Sequence, residues 1–136
     1  MAPTGQITGP VRVSVDALRA PGGVAQLELS DVDRLDASTQ PPAAHFLSRG
    51  AGSGSVTIYF TQAAGHIVVD CAVTSPSDMR YTIDAGSLHI ENTVPAADGH
   101  AVTVVPRSGI RRDVQVVLKS TGRKWSFSSC DLTPVK

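Results

Sequence analysis

Apolar and polar residues alternate along this chain with a period of two, in short runs that recur about every ten residues. Val11-Arg12-Val13-Ser14-Val15-Asp16 keeps the alternation for six positions, the pattern of a strand with one buried and one wet face. Segments around 24–30, 56–61, 66–74, 79–84, 88–91, 100–105, 113–119 and 124–130 follow, rich in Val, Ile, Thr and aromatics, side chains that pack well on a pleated surface. Between them stand Pro21-Gly22-Gly23, Ala64-Gly65, Ser75-Pro76-Ser77-Asp78, Ala85-Gly86-Ser87, Ser108-Gly109 and Thr121-Gly122, each able to supply turn dihedrals. No stretch carries a long helical period. The pattern predicts an all-β chain, an antiparallel β-sandwich (Ig-like or jelly-roll-like) of about 8–9 strands with at most one short helix.

A chain of 136 residues, 41% hydrophobic, is one domain's worth and can bury a core of about two-thirds of its unfolded surface. That excludes a disordered tail, a collagen-like repeat and a coiled coil. No apolar run approaches the ~18 residues of a membrane helix, so membrane insertion is not expected. The domain is expected over 11–136, after a flexible N-terminal segment 1–10. Met1 to Gly5 has neither the basic start nor the apolar stretch of a signal peptide, so export implies a leader already removed. Arg outnumbers Lys nine to three and Ala is frequent, which points to a GC-rich bacterial genome. No Asn-x-Ser/Thr acceptor for N-glycosylation occurs.

Cys71 and Cys130 are the whole thiol inventory. Both fall in strand-like segments, lack Cys-x-x-Cys spacing, and leave no odd cysteine, so one disulfide is expected, with an oxidising, secreted or periplasmic location. Parity adds a condition. Ile67, Val69, Cys71 and Val73 share the core-facing side of one strand, and Val114, Val116, Leu118 and Met79, Tyr81, Ile83 do so on two others. Trp125 and Phe127 share a face, but Cys130 has the opposite parity. A bulge or strand end near Ser128-Ser129 is therefore needed to bring Cys130 to Cys71. The pattern departs from an immunoglobulin domain, since Trp125 lies just before the second cysteine and Ser128 stands where that fold has its Tyr.

Residues 31–55 show no strand pattern. Pro41-Pro42 followed by Ala43-Ala44-His45-Phe46-Leu47 reads as the start of one short helix, with Pro in its first turn. Gly50-Ala51-Gly52-Ser53-Gly54-Ser55 lacks the Gly-Lys-Ser/Thr end of a phosphate loop and runs into a strand. Asp31, Asp33 and Asp36 resemble the opening of a calcium loop, but Leu35, Asp36 and Pro42 occupy its later ligand and glycine positions. His45, His66, His89 and His100 show no metal-ligand spacing. No metal and no cofactor are expected. Gly-x-Ser-x-Gly is absent, although a Ser-His-Asp set drawn from distant positions is compatible with the sequence.

The net charge is zero, yet residues 107–136 carry seven Lys and Arg against two Asp, while residues 1–106 carry five Arg against ten acids. Arg107, Arg111 and Arg112 flank Ser108-Gly109; Lys119, Arg123 and Lys124 flank Thr121-Gly122. Read as hairpin turns, these groups sit at opposite ends of strand 113–119, ~24 Å apart. Such a split patch, with few aromatics to stack on bases, argues against nucleic acid. Most of the six aromatic residues have core parities, which weighs against an aromatic sugar platform. The expected function is a non-catalytic extracytoplasmic binding or structural module presenting loops to a protein or glycan partner. Arg107, Arg111, Arg112, Arg123 and Lys124 are its candidate binding residues. The alternative is a small hydrolase with its site near the 31–55 loop.

Overall fold

The computed structural model describes residues 7, 9–14, 24–34, 44–48, 54–62, 65–74, 79–94, 99–108, 111–120 and 124–135. Eleven strands run through them: β1 (Val11–Ser14), β2 (Ala25–Ser30), β3 (Val32–Arg34), β4 (Ala44–Ser48), β5 (Ser55–Gln62), β6 (Gly65–Thr74), β7 (Met79–Ala85), β8 (Leu88–Val94), β9 (His100–Ser108), β10 (Arg112–Ser120) and β11 (Lys124–Val135). All nine segments predicted from periodicity are strands. The two additional ones, β3 and β4, lie in the stretch read as irregular. The short helix expected after Pro41-Pro42 is instead β4, because Ala44–Leu47 pair in register with Phe127–Lys124 of β11. Tertiary pairing overrides the local helix signal there. Pro41-Pro42, Asp36, the run 50–53 and the turns at 21–23, 75–78 and 121–122 lie outside the described residues.

The strands form two antiparallel sheets. One has the order β3-β4-β11-β6-β9, with β1 pairing the other half of the β11 edge that β4 occupies; the second has the order β2-β5-β10-β7-β8. From β4 onward the chain changes sheet at every connection except the β7–β8 hairpin, the alternation of a jelly roll. Ser108-Gly109 and Thr121-Gly122 are consequently not hairpin turns: β9 and β10 belong to different sheets, as do β10 and β11. At Asp31 the chain passes from β2 in one sheet to β3 in the other, with φ of 58°. Asp is among the few side chains that tolerate this left-handed conformation, so Asp31 has a backbone role. In the hairpin, Gly86 takes φ 60° at the first central position, as a tight two-residue turn requires.

The inward rows fill the space between the sheets. Val56, Ile58 and Phe60 of β5, Val114, Val116 and Leu118 of β10, and Met79 and Ile83 of β7 meet Ile67, Val69, Cys71 and Val73 of β6 and Trp125, Phe127, Cys130 and Leu132 of β11, all buried. Trp125 and Leu132 reach the same core only because the β11–β6 register shifts between Phe127 and Ser129. This is the bulge that the parity of Cys130 demands. Past it, Cys130 stands directly opposite Cys71, and the two form a disulfide with Cα atoms 4.0 Å apart. Ile7, inside the segment expected to be flexible, is buried, and its N–H donates to the Thr61 carbonyl at 3.5 Å.

The disulfide closes a loop with a sequence separation of 59, which in the chain-entropy treatment stabilises the fold by about 4 kcal/mol. Thiol titration of the denatured, unreduced protein should find no reactive sulfhydryl. Reduction should move the urea midpoint down by an amount matching that figure.

Candidate functional site

The outward residues of the five-stranded sheet form ordered rows. Gln26, Tyr59, Gln115, Asp84 and His89 stand side by side across all five strands. The next row is Glu28, Thr57, Val117, Thr82 and Glu91, and the one after it Ser30, Ser55, Lys119, Arg80 and Thr93. Strand spacing makes this floor about 19 Å wide. Val117 is its single aliphatic residue. The short hydroxyl side chains of β5, Ser55 and Thr57, are buried, Thr57 between the longer Glu28 and Val117, and Tyr59 stands half-exposed in the first row, on the strand next to the β2 edge. A flat ring flanked by two amides, which donate and accept at once, suits a ligand with both a C–H face and paired hydroxyls.

Charge is distributed unevenly over this floor. At the β7–β8 edge, His89 is held between two carboxylates, Nδ1 at 2.5 Å from Asp84 and Nε2 at 3.2 Å from Glu91. The hydrogen bond to Asp84 first, and that to Glu91 next, raise its pKa above the ordinary histidine value. Burial, and then the nearby Glu28 carboxylate, hold the Tyr59 phenol above its usual value, so it remains a neutral donor at physiological pH. Thr61 donates its hydroxyl to Asp113 at 3.0 Å. Arg80 and Lys119 face each other at the opposite end of the floor.

The outer face of the six-stranded sheet carries a different feature. Ala72, the smallest residue of its row, leaves a depression of about 330 Å³ between Arg12, Ser14, Asp70, His100, Ser129 and Asp131. Arg12 makes a two-pronged pair with Asp131, Nε to Oδ1 at 2.7 Å and the second nitrogen to Oδ2 at 3.2 Å, while His100 Nδ1 lies 3.0 Å from Asp70. The depression thus gathers the residue types of a Ser-His-Asp set. Ser14 and His100, however, lie at the two ends of the row Ser14-Ser129-Ala72-His100, with Cα atoms about 14 Å apart, too far for a nucleophile and its base. The nearer serine of that row, Ser129, is two strands from His100, about 10 Å. Among the described residues no cluster of His, Cys, Asp and Glu is suited to a metal ion.

The sequence-predicted binding residues do not come together on the polar floor. Arg107 and Arg111 are exposed near one end of β10. Arg112 is half-buried and engaged: its Nε donates to Gln62 Oε1 at 2.8 Å and its terminal nitrogen to the Pro106 carbonyl at 2.9 Å. Gln62, fully buried, in turn donates to the carbonyls of Gly65 and Pro106, both at 2.8 Å. This knot ties the end of β9 to the starts of β6 and β10. Arg123 lies outside the described residues, and Lys124 begins β11. Tyr59 and Arg80 were missed. Tyr59 was legible, since its parity opposes that of Val56, Ile58 and Phe60; Arg80 meets Lys119 only through a pairing 39 positions distant.

Replacing Arg112 by Ala strands the buried Gln62 oxygen and should lower stability by about 2 kcal/mol, whereas Arg111→Ala should stay within about 0.5 kcal/mol in the same urea titration. The His89 ring should titrate above 6.5 in an NMR series, and Asp84→Asn should bring it down. Because the folded value is the raised one, the charged His89 stabilises the fold fully below its unfolded pKa. That contribution is lost as pH rises through the folded value.

No protein-family model and no curated relative matches the sequence. Solved structures do resemble the fold. A family 29 carbohydrate-binding module variant complexed with cellulohexaose superposes over 93% of this chain and 92% of its own, with 8% identity and a TM-score of 0.57. Another variant from that module family gives 81% of each chain, 8% identity and a TM-score of 0.53. A carbohydrate-binding module from Cellvibrio mixtus lichenase 5A, in complex with cellotriose, covers 80% of this chain and 91% of its own, at 12% identity and a TM-score of 0.51. At these identities the likeness is one of fold: the chain is a β-sandwich of the kind these modules adopt.

Proposed function

We propose that the strands from residue 11 onward, with Ile7 packed into their core, form a single non-catalytic glycan-binding module that works outside the cytoplasm. The observation that carries this reading is the floor of the five-stranded sheet, where Tyr59 stands between Gln26 and Gln115 in one row. A pyranose ring offers an apolar C–H face that lies on an aromatic side chain, and equatorial hydroxyls that amides and carboxylates bracket from the sides. Glu28 supplies such a carboxylate on the strand beside Tyr59, and Asp84 a second one two strands away, beyond Gln115. The fold shared with carbohydrate-binding modules supports the assignment, and the Cys71–Cys130 disulfide supports an oxidising location.

Glycan-array screening followed by calorimetry tests the reading. Binding should occur without turnover. Tyr59→Ala, whose side chain is half-exposed, should leave the thermal midpoint within a few degrees and weaken binding by about tenfold or more. A Gln115→Ala variant should weaken it less. Binding that survives Tyr59→Ala unchanged would move the site off this face.

A further inference from the structure

The row Ser30-Ser55-Lys119-Arg80-Thr93 contains two cations and no acid, and the cations are direct cross-strand partners. Like charges so placed are unfavourable in a sheet. Other basic groups of the described structure are engaged: Arg12 with Asp131, Arg112 with Gln62 and Pro106, His89 with Asp84 and Glu91, and His100 with Asp70. The exposed Arg107 and Arg111, on β9 and just before β10, have no cation set directly opposite them among the described pairings. Of the nearest acids along the floor, Glu91 is bonded to His89, and Glu28 stands in the neighbouring row on β2, two strands from Lys119 and three from Arg80. Around the two cations, Tyr81, Thr82, Asn92, Thr93 and the His89-bonded Glu91 complete a depression of about 320 Å³, at the lower bound for a small-ligand site.

We propose that Arg80 and Lys119 form a subsite for the anionic group of an acidic sugar, a uronate carboxylate or a sulfate ester. This rests on the glycan reading of the same face and specifies its ligand class. The guanidinium of Arg80 offers a planar fork of donors that matches two oxygens of such a group, and Lys119 adds a compact charge from the neighbouring strand. The Thr82 and Thr93 hydroxyls, on the same face as the two cations, are placed to bond the ring hydroxyls. Lys119 lies four residues from Gln115 along β10, about 14 Å, so an oligosaccharide with its acid group at Arg80 and Lys119 extends along the floor to Tyr59. An anion bound there relieves the repulsion that the empty pair carries.

Calorimetry of the full chain with oligogalacturonate, a sulfated oligosaccharide and neutral cellohexaose is the test, repeated with Arg80→Thr and Lys119→Thr. Both substitutions keep a strand-forming residue and remove the like-charge opposition, so each variant should be at least as stable as the parent. At least one acidic ligand should bind more tightly than cellohexaose, each variant should weaken it by about fivefold or more, and added salt should weaken it further. Whichever acidic ligand binds more tightly identifies the group. Equal affinity for acidic and neutral sugars, untouched by either substitution, overturns the subsite and leaves the glycan reading standing. Failure to bind any sugar overturns both. Duplex DNA bound as tightly as the acidic sugars and lost in the same variants marks a general polyanion patch and overturns the proposal.

Discussion

One extra residue in β11 decides how this sandwich closes. A regular strand could not bury both Trp125–Phe127 and Cys130–Leu132, because the two pairs have opposite parity. The bulge between Phe127 and Ser129 reverses the parity midway, so a single strand of twelve residues feeds one core from both halves. It also divides the edge of β11 between two partners. The first half takes β4 and the second takes β1, which lets a six-stranded sheet grow around one long strand. With the register pinned by the bulge, Cys130 falls opposite Cys71 and the link becomes covalent.

Period-two alternation carried the strands and their faces into view, since a buried face leaves its mark on every second residue. Even the bulge was readable, because Cys130 stood on the wrong side for its partner. β3 and β4 were not. β3 has three residues, too few to show a period, and β4 begins within the alanine pair that, after two prolines, reads as a helix start. Sheet membership was equally hidden: a Ser-Gly turn looks the same whether it folds a hairpin or carries the chain between sheets. The hairpin reading of the basic turns failed for that reason. On the candidate site, residue parity pointed Tyr59 outward, whereas the Arg80–Lys119 adjacency depends on long-range pairing that no local pattern records.

The two outer faces have diverged in chemistry while sharing a core. The six-stranded face sets its Asp70–His100 and Arg12–Asp131 pairs beside exposed Val102, Val104 and Val135. The five-stranded face is a hydrogen-bonding floor with one phenol ring, its acids Asp84, Glu28 and Glu91 in two rows and its Arg80–Lys119 pair in the third. A net charge of zero thus conceals local fields, and the arginines illustrate why a linear count misleads. Arg112 is a structural strut through Gln62, while Arg80, isolated in sequence, sits beside Lys119 on the floor.

The disulfide also determines how the fold carries tension. A force drawn along the chain from both sides peels β1 and the tail of β11 first, as a zipper opens, because their outer ends, Val11 and Leu132, are paired neighbours. It then meets Cys130, and the load passes through sulfur to Cys71 without entering the residues between. β7, β8, β9 and β10 all lie inside that covalent bypass. Half of the polar floor, with Arg80, Lys119, Asp84 and Gln115, is therefore screened from pulling. Whatever that half of the floor holds is kept out of the line of force.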